Sequence, residues 1–273
     1  MSDDAKGWVD GGLQSVRSYP SSTQSTPGRE CGCVMYRSEA AMTPDVREAA
    51  AVRSADLIYQ SAAAGSSCWA RNHHGHRREL PMARWMGGSE TTPQDRLADE
   101  HVLGHCSSRP TLDLGCGPGR FIASLQQRGL PALGVDSSAA AVEMTRRRGG
   151  TAIRGDLFAQ LPAEGSWQQI LLTDGNIGIG GNPVRTLMRA ADLLAEGGVV
   201  IVEIDPPATA FCYEMLRWET DEHLGHWFPW SRIGAGALGM IAHAAGFTVS
   251  HVVEIHDRVI AVLTVADCRG ARR

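Results

Sequence analysis

The sequence predicts an α/β fold in which a mostly parallel sheet carries helices on both faces, closes with an antiparallel hairpin and follows a helical lid. Three observations predict it. From Thr111 onward short apolar runs alternate with segments of helical periodicity, the pattern of a parallel sheet wound with helices. A glycine-rich turn, Gly115-Cys116-Gly117-Pro118-Gly119, joins the first apolar run to the first helical segment. Two apolar runs near the C-terminus, 248–255 and 258–265, flank the turn pair His256-Asp257 and read as a hairpin.

Taken in order, residues 1–40 are rich in Ser, Thr, Gly and Pro and show no sustained period. Such a segment buries too little apolar surface to offset its ordering entropy and is expected to be a flexible tail. Thr43-Pro44 is a helix start, with Thr as cap and Pro at the first helical position. That helix is expected to run through Leu57, Ile58 and Tyr59 to Gly65. A polar stretch containing His73, His74 and His76 follows, then Leu80-Pro81, Arg84 and Trp85, broken by Gly87-Gly88. Thr92-Pro93 opens another helix, with Asp95 placed as a capping-box acid and Leu97, Val102 and Leu103 as its apolar positions. Residues 41–105 are therefore expected to form the helical lid, and 106–273 the main domain.

Within the main domain the expected strands are 111–114, 132–135, 151–154, 170–173 and 199–202. Helices are expected over 121–127, 138–148 and 182–194, where Asn182-Pro183 caps the last. The run Val199-Val200-Ile201-Val202 is continuously apolar, as a strand buried on both faces requires. A further helix is expected near 233–245, ahead of the hairpin.

Composition limits the function classes. Of the 273 residues, 43% are hydrophobic and 21% charged, the balance of a globular protein. The formal charge is −4 and the pI near 6.2, which argues against a nucleic-acid partner, because phosphate recognition needs a concentrated basic face. No apolar run approaches the ~20 residues of a membrane span. The N-terminus reads Met1-Ser2-Asp3-Asp4, unlike a signal peptide, so no membrane partner and a cytoplasmic location are expected. The seven cysteines are irregularly spaced, Cys31 and Cys33 stand too close for paired zinc ligands, and no metal is expected. The histidines at 73, 74 and 76 fit no standard ligand spacing and read as a solvated loop.

The chemistry resides in the segment from Thr111 to Phe121. Its glycines let the chain turn sharply out of a strand and bring backbone N–H groups against a ligand, while the following helix directs its positive end there. A dinucleotide fingerprint would carry a third glycine at position 120, where Arg120 stands. The pattern D-x-G-x-G-x-G headed by Asp113 instead resembles motif I of the class I S-adenosylmethionine-dependent methyltransferases. Gly134-Val135-Asp136-Ser137, Gly155-Asp156-Leu157 and Thr173-Asp174-Gly175-Asn176 follow in the family's order.

The resemblance implies a Rossmann-like, seven-stranded sheet and S-adenosyl-L-methionine as cofactor, leaving as S-adenosyl-L-homocysteine. It also implies roles. Asp113, Gly115, Cys116, Gly117 and Gly119 would surround the methionine part, and Asp136 with Ser137 would meet the ribose hydroxyls. Asp156 and Leu157 would meet the adenine, and Asp174, Gly175 and Asn176 would border the transferred methyl. The segments 174–181, 227–230 and 80–85 resemble a bacterial subgroup acting on small molecules, many of them in secondary metabolism. The likeness spans roughly residues 68 to 265.

Asp205-Pro206-Pro207 is similar to a DNA adenine methyltransferase motif, but it follows the fifth strand and Ala208 replaces the aromatic. A small-molecule acceptor is expected, held under a cap made by 43–105 and 206–232. Trp85, Trp227, Phe228 and Trp230 are the candidate pocket residues, because aromatics wall sites for flat molecules and also fill cores. Glu203, Asp205, Tyr213, His223 and His226 are the candidates for removing a proton from the acceptor. An aromatic or indole-like acceptor and a sugar hydroxyl both remain open, as does a cofactor-binding partner protein without catalysis.

Overall fold

The computed structural model describes residues 16–18, 44–88, 91–206 and 209–266, with backbone alone for 16–18 and 44–51. Strands β1 (Val16–Ser18), β2 (Trp69–Asn72) and β3 (Arg77–Glu79) and helices α1 (Pro44–Ala63), α2 (Met82–Met86) and α3 (Pro93–Gly104) precede the main domain. There follow β4 (Thr111–Leu114), α4 (Arg120–Gln127), β5 (Ala132–Asp136), α5 (Ala139–Arg147), β6 (Ala152–Arg154), β7 (Trp167–Leu172), α6 (Pro183–Leu193) and β8 (Leu194–Ile204). The chain ends in β9 (Cys212–Glu219), β10 (Phe228–Arg232), α7 (Ala235–Ala244), β11 (Phe247–Ile255) and β12 (Arg258–Val265).

The main sheet has the order β1-β11-β12-β8-β7-β4-β5-β6. Strands β8, β7, β4, β5 and β6 are parallel, and β12 and β11 close the sheet antiparallel. This is the seven-stranded Rossmann-like arrangement, and β1 adds an eighth strand beside β11. Val16–Ser18 thus departs from the flexible tail expected over 1–40, whose other residues lie outside the described ones.

Both faces of the sheet are covered, and the alternation of side chains along each strand explains why its strands read as unbroken apolar runs. Ile170, Leu172, Val200 and Val202 pack with Leu187 and Leu193 of α6 and Leu238 of α7. The intervening Leu171 and Ile201 pack on the other face with Val102 of α3 and Phe121 and Leu125 of α4. The helix starts lie where the capping residues place them. Thr92 Oγ1 accepts from the Asp95 amide at 3.0 Å, Ser138 Oγ from Ala141 at 3.1 Å, and Asn182 Oδ1 from Arg185 at 3.1 Å.

The cap is where expectation and structure part. α1, α2 and α3 are present, but the lid is not purely helical. β2, β3, β9 and β10 form a second, antiparallel sheet of order β10-β9-β2-β3, which joins the N-terminal segment to the segment between β8 and α7. The His-rich stretch is the turn of the β2–β3 hairpin, where His73 Nδ1 accepts from the Met215 amide at 3.2 Å. Helix α1 seals this sheet to the main domain: Asp56 accepts from Ser138 Oγ at 2.6 Å and from the Ala140 amide at 3.0 Å, capping α5 from outside.

Among the described residues no helix is long and apolar enough to cross a membrane, and no group of His, Cys, Asp and Glu side chains is arranged to hold a metal ion.

Candidate active site

The turn after β4 is built around three glycines with positive φ, Gly115 (78°), Gly117 (52°) and Gly119 (79°). A Cβ on Gly115 would stand 2.6 Å from Asn176 Nδ2, and one on Gly119 would stand 2.4 Å from the Thr145 side chain. Their absence lets two other segments close on the turn. Asn176 Nδ2 donates to the Leu114 and Gly115 carbonyls at 3.1 and 2.8 Å, and Thr145 Oγ1 donates to the Gly117 carbonyl at 2.9 Å. The Gly117 amide donates to Asp136 Oδ2 at 2.8 Å, and the Ser138 amide to Asp136 Oδ1 at 2.8 Å. The loops carrying Asp113, Asp136 and Asp174 therefore meet at the C-terminal edge of β4, β5 and β7, where ligands bind in open α/β sheets.

Cys116 donates its amide to the Val135 carbonyl at 3.1 Å and its thiol to the Gly117 carbonyl at 3.6 Å. Its thiol is buried beneath β5, where a Cβ on Gly134 would come within 2.6 Å of it, and burial pushes its pKa well above the ordinary thiol value. Ser137 is half-buried, its carbonyl accepting from Arg154 Nε at 3.2 Å. Asp156 closes a local turn by accepting from the Phe158 amide at 2.9 Å. Leu157 is buried, and its carbonyl accepts from Arg189 Nε at 2.9 Å.

Two carboxylates behave oppositely. Asp113 is 1% exposed, and neither of its oxygens has a hydrogen-bond partner among the described residues. Burial pushes its pKa up to about 7 against the pull of Arg120, with Asp174 and Asp136 adding to the rise. Burial also opposes ionisation of Asp174, but Arg120 and Arg84 outweigh it and hold the group at about 2. The salt bridges are Arg120 Nη1 to Asp174 Oδ2 at 2.6 Å and Arg84 Nε to Asp174 Oδ1 at 3.3 Å.

The raised pKa of Asp113 has a consequence for stability. Its folded value lies above the unfolded value near 3.8, so between these the folded state holds a proton that the unfolded state has lost. Stability therefore falls as pH rises through that window and levels off above about 7. Asp136, raised to about 6 by burial against its bonds from Ser138 and Gly117, acts in the same sense. Asp113→Asn is expected to flatten this decline, so that its melting temperature gains on the native protein between pH 5 and 8. Parallel Tm–pH curves for the two proteins would refute it.

Several functional groups escaped sequence reasoning. Tyr59, read only as an apolar position of α1, places its hydroxyl over the glycine turn, where a Cβ on Gly117 would stand 3.1 Å from it. Burial, followed by the charges of Asp136, Cys116 and Asp174, raises its pKa well above that of a free phenol. Arg84 and Arg120 clamp Asp174 from the lid and from α4. The sequence signals were Arg120 in the place of a third glycine and the resemblance of the 80–85 segment, which assigned Arg84 no role.

Glu203 is not an open base. It is 4% exposed, both its oxygens accept from Arg258 at 2.8 and 2.7 Å, and Oε2 also accepts from the Asp174 amide at 3.1 Å. Asp205 is likewise engaged, accepting from Arg232 Nε at 2.9 Å and from the Ile233 amide at 3.2 Å. Tyr213 lies on the outward face of β9, 44% exposed, with its hydroxyl 3.4 Å from Met215 Sδ. His223 and His226 are exposed in the β9–β10 connection, beyond the Phe228–Leu216 end of the ladder. Their amides bond to Thr220 Oγ1 and Ser54 Oγ, both at 3.0 Å.

The antiparallel ladder decides which aromatics share a face of the second sheet. Leu216 pairs with Phe228 and Glu214 with Trp230, while Ala70 pairs with Trp218, so Glu214, Leu216, Trp218, Phe228 and Trp230 share one face. Trp230 packs over Gly175, where a Cβ would lie 3.9 Å from its ring. The rings continue away from that point, Phe228 to Trp230 at 6.3 Å, Trp218 to Phe228 at 4.8 Å and Trp85 to Trp218 at 6.5 Å between centroids. Trp85, Phe228 and Trp230 thus join one row of rings with Trp218. Trp227 has the opposite parity and lies under Arg217, 4.8 Å from its ring centre, and Trp218 takes the place expected for it.

Solved structures share this architecture. A SAM-dependent methyltransferase from Bacteroides fragilis, in complex with S-adenosyl-L-homocysteine, superposes with a TM-score of 0.64 at 19% identity over 81% of this chain and 96% of its own. The 1,6-didemethyltoxoflavin-N1-methyltransferase of Burkholderia thailandensis, with bound 1,6-didemethyltoxoflavin and S-adenosylhomocysteine, gives 0.54 at 16% identity over 83% and 92%. The DhpI–SAH complex gives 0.57 at 17% identity over 80% and 98%. No curated protein matches the chain. A family model described as a methyltransferase domain matches residues 95–252, more than half of the chain, and with the fold and loop geometry above, the chain belongs to that family.

Proposed function

We propose that this protein transfers a methyl group from S-adenosyl-L-methionine to a small aromatic or indole-like natural product, on nitrogen, carbon or oxygen, as part of secondary metabolism. The residues present fit the cofactor. The glycine turn is a cradle that Cβ atoms would fill, and Asp113 offers two buried, unpartnered oxygens beside it. Asp136 keeps lone pairs for ribose hydroxyls beyond its two amide bonds, and Asp156 and Leu157 border the adenine end. When bound, the cofactor supplies a methyl already activated on a sulfonium.

The work of the chain is then chiefly positioning. Arg120 and Arg84 hold Asp174, and Asn176 holds the glycine turn, so the two loops that face the methyl keep one geometry. Tyr59 on α1 and the second sheet cover the turn and exclude water. A nitrogen acceptor needs no strong base.

The observation that carries the reading of an aromatic acceptor is the seat of Trp230 on Gly175, which brings the ring wall to the loop bordering the methyl. The test supplies light or methyl-deuterated S-adenosyl-L-methionine to the protein in an extract of its source cells, followed by mass spectrometry. An aromatic metabolite with the isotopic shift is expected, reduced about tenfold by Trp230→Ala with cofactor affinity unchanged. A labelled macromolecule in its place would overturn the small-molecule reading, and a labelled sugar the aromatic one.

A further inference from the structure

Of the buried carboxylates described around the site, all but three are closed by the protein itself. Asp174 is held by Arg120 and Arg84, Glu203 by Arg258 and Asp205 by Arg232, while Asp136 accepts from two amides and keeps lone pairs at the cofactor turn. Asp113 lies under the cofactor turn. The third exception is Glu214, on the aromatic-bearing face of β9. It is 9% exposed, and Asn72 Nδ2 donates to its Oε2 at the long distance of 3.4 Å. Among the described residues no salt bridge forms on it.

Burying a carboxylate costs free energy unless donors satisfy it, and an ionised carboxylate accepts at about four sites. One long bond leaves most of that capacity unused. The next residue across the ladder is Trp230, whose ring begins at Gly175 beside the methyl-bordering loop. A donor on Glu214 and a ring on Trp230 are therefore adjacent, within the span of one small molecule.

The cation that interacts with Glu214 is Arg78 on β3, whose pKa is lowered by burial and Arg232 and raised by Asp205 and Glu214. Arg232 on β10 is committed to Asp205 and Arg84 on α2 to Asp174, and Arg78 forms no ion pair with Glu214 among the described residues. Among the described residues Glu214 is the one carboxylate on this face of β9 and β10.

Building on the proposed methyl transfer to a small molecule, we infer that Glu214 anchors the acceptor through an ammonium or N–H group, while the attached flat ring lies against Trp230 and Phe228. The acceptor class is then an aromatic amine or a nitrogen heterocycle bearing a donor, rather than an aromatic acid or a sugar. Glu214 sets specificity; it is not required for binding the cofactor.

Three probes that share an indole ring and differ in one group test this: tryptamine with its ammonium, tryptophol with a hydroxyl and indole-3-propionate with a carboxylate. Each is titrated calorimetrically into the full chain saturated with S-adenosyl-L-homocysteine, for the native protein and for Glu214→Gln, which keeps the side-chain volume and a carbonyl for Asn72. The native protein is expected to bind tryptamine about tenfold or more tighter than indole-3-propionate, and Glu214→Gln to lose about that factor for tryptamine alone. Unchanged S-adenosyl-L-homocysteine affinity certifies the fold of the variant. Equal affinities, a preference for the carboxylate probe, no binding of tryptamine, or a variant that keeps the preference would each overturn the assignment. Failure of the native protein to bind S-adenosyl-L-homocysteine would instead overturn the proposed function on which it rests.

Discussion

Arg258→Met is expected to destabilise the protein by about 3–5 kcal/mol, the cost of breaking a buried ion pair from one side. Arg258 is 3% exposed and joins the first residue of β12 to two other elements. It donates to both oxygens of Glu203 on β8 at 2.8 and 2.7 Å, to Asp99 Oδ1 at 2.7 Å and to the Asp95 carbonyl on α3 at 3.1 Å. Burial opposes its charge, but Glu203, Asp174 and Asp99 overcome that and raise its pKa. The substitution strands Glu203 without its cation in the centre of the sheet. Adding Glu203→Gln to Arg258→Met should recover part of the loss, because the uncompensated charge goes with it. Urea unfolding of the native protein and the two variants measures this, and a loss under about 1 kcal/mol for Arg258→Met would show that the network relaxes around the gap. By contrast Arg147→Met, which breaks the exposed pair with Glu143 at the end of α5, should leave stability nearly unchanged.

The second large effect falls on the cofactor. Asp136→Ala is expected to weaken S-adenosyl-L-homocysteine binding about a hundredfold or more, the worth of two hydrogen bonds to a charged acceptor. It removes in addition the acceptor for the Gly117 amide, which helps hold the glycine turn in its curved form. The pH dependence has a definite sign. The ribose hydroxyls need an ionised acceptor, and burial places the Asp136 pKa at about 6, so native affinity should fall as pH drops through that value. The Asp113→Asn background separates this from the proton on Asp113. Calorimetric titration from pH 5 to 8 decides it: affinity independent of pH, or an alanine variant that binds normally, would remove Asp136 from the cofactor site.

Much of the site was legible in the amino-acid order because its determinants are local. The glycines at 115, 117 and 119 are there because the backbone bends with positive φ and because Asn176 and Thr145 close on the turn, and the first of these reasons can be read from spacing alone. The caps at Thr92 and Asn182 were readable for the same reason, since a cap bonds to an amide three residues on. Strand β9 was not legible. Its sequence CYEMLRWE mixes charged and apolar residues on both faces, because one face lines a polar, aromatic wall and the other carries Arg217 and Glu219.

The sequence by itself determined the parallel sheet with its closing hairpin, the glycine turn and the order of the acidic loops, since period, turn residues and caps act within a few residues of themselves. Only the tertiary structure decided which aromatics form the wall and which acids stay open. A strand places successive side chains on opposite faces, so register with β2 and β10 put Trp218 and Glu214 inward and Trp227 outward. Burial then separated the carboxylates. Glu203 met Arg258, 55 positions away along the chain, and lost its freedom as a base, while Glu214 met the single long bond from Asn72. Such pairings depend on which distant segments are folded together, and no local pattern encodes them.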